Sequence, residues 1–124
     1  MVETLVDPST LNYDDAGLIP AVLQDATSRE VLMLGWMSEA TLRQTLELGQ
    51  AVFWSRSRQE VWHKGATSGD YVKVHDVRTD CDADVVLLSV ELLGGGVCHT
   101  GARACFVEED NETARIVTAG VTTD

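Results

Sequence analysis

The chain has 124 residues, the size of one domain (1–124), with 44% apolar residues and a formal net charge of −11. That apolar share supports a packed core and argues against disorder, and no stretch is apolar for long enough to span a bilayer. The negative charge repels nucleic acid and anionic membranes, so neither is an expected partner, whereas a local basic pocket can still take a phosphorylated small molecule.

Met1-Val2-Glu3-Thr4 has no basic region followed by an apolar stretch, so no signal peptide is expected. Residues 1–17 read as Asp-rich turn material. Leu18 to Gln24 form an apolar run interrupted by Pro20, which suits an edge strand. Glu30 to Met37 follow as a buried strand, and the two segments predict a hairpin. Ser38 to Leu48 is the one clear helix, with Ser38 as cap and Gly49 as stop. Thr41 stands where the Glu or Gln of a capping box belongs, so no box is expected. Leu42, Thr45 and Leu46 mark its inner face.

Strand character returns at Gln50–Trp54 and briefly at Val61–His63. Gly65 to Asp70 read as a loop, and Tyr71 to Val77 alternate as a half-buried strand. Asp80-Cys81-Asp82-Ala83-Asp84 extends that alternation. On a strand it places Asp80, Asp82 and Asp84 on one face and Cys81 on the other. Val85 to Leu93 read as a fully covered strand that ends at Gly94-Gly95-Gly96. A short strand from Cys105 to Val107 and an edge strand from Arg115 to Val117 complete the reading. The fold class is α+β and β-rich, with mixed or antiparallel strands and one main helix.

Cys81, Cys98 and Cys105 are an odd number of cysteines with no secretion signal, which fits reduced thiols in the cytoplasm. They read either as small buried apolar residues or as soft donors for zinc. Cys98-His99-Thr100-Gly101 is poor core sequence, which favours the donor reading. Three ligands leave a fourth position for water, but a thiolate-only set is net negative and weakens the Lewis acidity. A nearby base or a second cation is then needed, and His99 beside Cys98 is the candidate base; its other reading is a surface or hydrogen-bonding histidine. A structural zinc module that His99 closes as fourth ligand is the rival of a different class.

The row Asp80, Asp82, Asp84 reads as a Mg²⁺ site near a substrate phosphate or as a solvated acidic edge. An EF-hand loop does not fit: Glu91 falls at position twelve, but Val85 takes the place of the required Gly. Arg56, Arg58 and Lys64, with the hydroxyls of Thr67 and Ser68, form a candidate phosphate surface or a solvated charged face. The Walker spacing is missing. Trp54 and Trp62 can stack a base or fill the core. The H-x-E and P-C-x-x-C motifs of zinc nucleobase deaminases are missing too.

Over residues 11–107 the chain resembles the phosphoribosyl-AMP cyclohydrolase family of histidine biosynthesis. The resemblance rests on Ser55-Arg56-Ser57-Arg58, on Trp62-His63-Lys64-Gly65-Ala66-Thr67-Ser68-Gly69 and on Asp80-Cys81-Asp82-Ala83-Asp84. Cys98-His99-Thr100-Gly101 and Cys105-Phe106 complete it. Ala66 and Asp70 depart from the usual Glu and Asn. The resemblance implies that water opens the adenine ring of N1-(5-phosphoribosyl)-AMP between N1 and C6; His99 is the candidate that helps to activate that water at zinc. It implies a homodimer whose zinc is shared, with Cys81 from one chain and Cys98 and Cys105 from the other. It also implies Mg²⁺ on Asp80, Asp82 and Asp84, and Arg56, Arg58, Lys64, Thr67 and Ser68 are the candidates for the substrate phosphates.

Overall fold

A computed structural model of the chain describes residues 2–98 and 103–106. The strands are β1 (Glu3–Thr4), β2 (Leu18–Asp25), β3 (Val31–Ser38), β4 (Val52–Ser55), β5 (Glu60–His63), β6 (Val72–Thr79) and β7 (Val86–Leu92). One α-helix, α1 (Glu39–Leu48), follows β3, and a 3-10 turn covers Pro8–Thr10. Five strands make a mixed sheet in the order β1-β6-β7-β2-β3, and β4 and β5 form a separate ribbon. The fold is therefore α+β and β-rich with one main helix, as the sequence predicts.

The predicted β2–β3 hairpin is present, with Leu18 opposite Ser38 and Gln24 opposite Val31. β2 is nevertheless interior, because β7 pairs with it in parallel on the other side. That ladder begins at Ala21, one residue after Pro20, so the proline leaves none of its bonds unmade. β7 is covered mainly on one face: Val86, Leu88 and Val90 are buried, and Leu87 and Ser89 are half-buried. β1, a parallel two-residue edge strand on β6, falls where the sequence reads as turn material. Cys105 and Phe106 are bends rather than the start of a strand. Val107 and the expected strand at 115–117 lie outside the described residues.

The helix carries a capping box after all. Thr41 N–H donates to Ser38 Oγ, and Ser38 N–H donates to Thr41 Oγ1 at 2.9 Å, so a threonine fills the place of Glu. Thr41, Leu42 and Thr45 form the buried face. Thr45 Oγ1 donates to Thr41 O at 2.8 Å and accepts Val52 N–H at 3.0 Å, which ties α1 to β4. Losing that acceptor would strand a buried N–H at a cost of roughly 1–3 kcal/mol. Phe53 and Met37 are fully buried beside Ile19, Leu23, Leu32 and Leu88. Gly35 on β3 lies under the Phe53 ring, where a Cβ would collide with ring carbons.

The turn after β2 is a charged knot. Asp25 Oδ1 accepts the N–H groups of Thr27 and Ser28, and Arg103 bridges Asp25 and Glu30 at 2.9 Å each. The Ser28 and Thr27 amides, followed by the Arg103 guanidinium, hold the Asp25 carboxyl at about 2, against an ordinary 3.8. A depressed folded pKa stabilises above the unfolded value and loses that contribution as pH falls through the folded one. Asp25→Asn is therefore expected to lower the urea midpoint at neutral pH. It should also flatten the loss of stability between pH 3.8 and about 2. An unchanged acid limb would remove Asp25 as its source.

Candidate active site

The acidic segment is a turn between β6 and β7, not a strand. Alternation therefore does not bring its carboxylates together; the turn does. Ala83 is left-handed at φ 60° and donates its N–H to Asp80 O. Asp80 Oδ1 accepts the N–H groups of Asp84 and Val85 at 3.1 and 3.3 Å. Asn12 pins the turn from outside, through N–H to Ala83 O and Nδ2 to Asp82 O at 2.8 Å. One oxygen each of Asp80, Asp82 and Asp84 then lies within 4.8 Å of the others, all exposed. Hydrogen bonding to Asp82, then reduced hydration in the crowded turn and hydrogen bonding to Asp80, push the Asp84 carboxyl up to about 6. Such a crowded hard-oxygen set suits a hydrated Mg²⁺, which offsets the mutual repulsion.

Cys81 is exposed on this same turn. Cys98 follows the other end of β7. Seven strand residues, at about 3.3 Å each, put roughly 20 Å between the two ends. Cys105 belongs to the Cys98 end, because its N–H donates to Leu32 O at the start of β3 at 2.7 Å. The Cys105 thiol is half-buried and hydrogen-bonds with Cys98. Burial, with Cys98 next, pushes it up to about 11. Two adjacent sulfurs are a soft donor pair that fits zinc, and among the described residues no third donor joins them. Among the described residues, the acidic turn is the one group of three potential metal donors. His99 lies outside the described residues.

Cys98 also lines a groove of about 600 Å³ together with Arg58, Trp62, His63, Lys64, Thr67 and Ser68. β5 feeds its wall: Lys64 N–H donates to Ala51 O, and Ala51 N–H donates to Val72 O. The 65–70 loop then turns tightly, with Gly69 N–H donating to Gly65 O at 2.8 Å. Gly65 has φ 93°, and a Cβ there would strike the Tyr71 backbone. Asp70 joins this loop to the glycine run after β7, since its Oδ1 accepts Gly95 N–H at 3.0 Å. An amide oxygen can accept the same bond, so the Asp70 departure from Asn preserves this contact. Ala66 is exposed.

The predicted basic residues divide. Arg58, Thr67 and Ser68 are exposed in the groove, and Arg58 lies 3.6 Å from Glu60. Arg56 does not line it; its guanidinium stacks 4.3 Å from the Trp36 ring centroid. Lys64 is buried. Trp62 packs against Phe53 at 5.4 Å while bordering the groove, so it serves core and site together. His63 was passed over in the sequence reading. It lines the groove, with Nε2 2.7 Å from Gln50 Oε1 and its ring 5.4 Å from Tyr71. Its place between Trp62 and Lys64 in the motif was the available signal. A second cleft, of about 790 Å³, lies at the acidic-turn end beside Thr4, Arg78, Thr79 and Ala83.

The phosphoribosyl-AMP cyclohydrolase (PRA-CH) family pattern matches residues 33–107, well over half of the chain. The chain is 57% identical over 102 residues to the histidine biosynthesis bifunctional protein HisIE of Prochlorococcus marinus (strain MIT 9313). That match covers 82% of the chain and 46% of the relative. It is 50% identical to the phosphoribosyl-AMP cyclohydrolases of Aromatoleum aromaticum and Ralstonia nicotianae, covering 79% and 84% of the chain and 74% of each relative. The chain thus spans about half the length of the bifunctional relatives and about three quarters of the shorter ones. With both motif loops walling one groove, and with a match of this extent, the chain belongs to the phosphoribosyl-AMP cyclohydrolase family.

Proposed function

We propose that the chain hydrolyses the N1–C6 bond of the adenine ring in N1-(5-phosphoribosyl)-AMP, a step of histidine biosynthesis, as a cytoplasmic homodimer. The observation that carries this reading is Cys98, hydrogen-bonded to Cys105, in the wall of the groove that also presents Arg58, Thr67 and Ser68. Sulfur donors and phosphate-binding groups then face one substrate. Cys98 and Cys105 of one chain hold zinc with Cys81 of a second copy, a division supported by the length of β7 between them. Zinc held there supplies Lewis acidity for activating water.

The residues around it bind, orient and move protons. His99, next to Cys98 in sequence, takes the proton from the attacking water. Arg58, Thr67 and Ser68 hold phosphate oxygens, and Arg56 on Trp36 adds positive potential nearby. The ring faces Trp62, which is half-buried and borders the groove. A second copy that brings Cys81 to the groove would bring Asp80, Asp82 and Asp84 with it, and these carboxylates would hold a Mg²⁺ that neutralises phosphate charge. No helix among the described residues is long and apolar enough to cross a membrane.

The deciding measurement is turnover of phosphoribosyl-AMP by metal-stripped protein with zinc and magnesium restored separately and together. Ring opening is expected only when both are present. No ring opening with both restored would overturn the assignment.

A further inference from the structure

Lys64 borders the groove, and a phosphate ligand is the simplest reading of a lysine there. Its surroundings do not suit that role. The residue is only 7% exposed, and Nζ donates to Val97 O at 2.6 Å. The ammonium also lies 5.2 Å from the Trp62 ring centroid. Among the described residues no carboxylate pairs with it. A charge withdrawn from water this far is costly without a counter-ion, and a phosphate would have to reach an ammonium that is 7% exposed and already directs one of its three donors below the surface.

Val97 immediately precedes Cys98. Its carbonyl takes the Lys64 bond, and its N–H donates to Arg103 O at 3.0 Å. Cys105 N–H is bound to Leu32 O. Val97, next to Cys98, and Cys105 itself are therefore each held by hydrogen bonds to the backbone, and Lys64 makes one of those at Val97.

We propose that Lys64 is a positioning residue for the Cys98–Cys105 pair rather than a phosphate ligand. Its ammonium fixes Cys98 through the Val97 carbonyl and is the buried counter-ion of the sulfurs when they ligate metal. This rests on the reading of Cys98 and Cys105 as zinc ligands. A thiolate set around zinc is net negative, and the buried ammonium has no carboxylate partner among the described residues; each offsets the other.

Lys64→Met keeps most of the stem and removes the donor and the charge. Zinc-loaded wild type and variant are challenged with a chelator, cobalt-substituted samples are read for the sulfur-to-cobalt charge-transfer band, and KM and kcat are measured for phosphoribosyl-AMP. The expected result is zinc loss on the order of 10–100-fold easier, the scale of an outer-shell partner. A weakened cobalt band and a nearly unchanged KM should accompany it. Wild-type zinc retention with a raised KM would make Lys64 a phosphate ligand and overturn the inference. Cys105→Ser, run in parallel, separates the two readings. If it retains zinc as firmly as wild type, the ligand assignment itself fails. If it loses zinc and Lys64→Met does not, only the role of Lys64 fails. Should Lys64→Met not fold, Lys64→Gln decides: it can still donate to Val97 O but has no charge. Easier zinc loss in that variant supports the inference, and wild-type retention overturns it.

Discussion

Cys105→Ser is expected to strip the chain of zinc and to lower turnover by more than about a hundredfold, the upper cost of losing even an outer-shell partner. The substitution exchanges one soft sulfur for a hard, neutral hydroxyl, a poor zinc donor. It leaves the fold alone, because the contact that places the residue is its backbone N–H on Leu32 O, which serine keeps. The thermal midpoint of the metal-free protein should therefore stay near wild type while zinc per chain and ring opening both fall. Metal analysis after gel filtration, alongside the melt, tests this directly. Unchanged zinc content would return Cys105 to the role of a half-buried apolar residue.

Mixing two inactive variants is expected to restore activity. Cys81 and Cys98 stand at opposite ends of β7, so one chain does not supply both to one metal. Under two-fold symmetry, Cys81→Ser and Cys98→Ser homodimers each lack a complete site. A hybrid dimer has one site with both defects and one with neither. Equal mixing with full exchange makes half of the dimers hybrid, so recovery should approach about one quarter of wild-type activity. Mass spectrometry of the exchanged dimers supplies the needed control. Hybrids that form and stay inactive would rule out a site divided in this way.

Much of the scaffold was legible because its signals are local. The β2–β3 hairpin follows from two apolar runs around Asp25–Arg29, and the helix follows from Ser38, Gly49 and the spacing of Leu42 and Thr45. β1 was missed because two residues in parallel pairing leave no periodic trace. Pro20 pointed to an edge strand, whereas the actual limit is where the β7 ladder starts. The capping box was missed because Thr41 does with a hydroxyl what Glu does with a carboxylate.

The feature that sequence alone determined is the set of chemical donors: three alternating carboxylates beside a thiol, two further thiols, and a basic loop rich in hydroxyls and glycine. Those residue types fix which ions and substrates can be held, and motif order fixes the family. Spatial arrangement came only with tertiary structure. The acidic row is a turn closed by Asp80 and pinned by Asn12, a residue about 70 positions away in the chain that no local pattern connects to it. Cys81 is separated from the other thiols by the length of a strand, and Lys64 faces the Val97 carbonyl instead of solvent. Periodicity reports which way neighbouring side chains face. It carries no information on which distant backbone groups their polar atoms will meet, and that is what divides this site between two ends of one sheet.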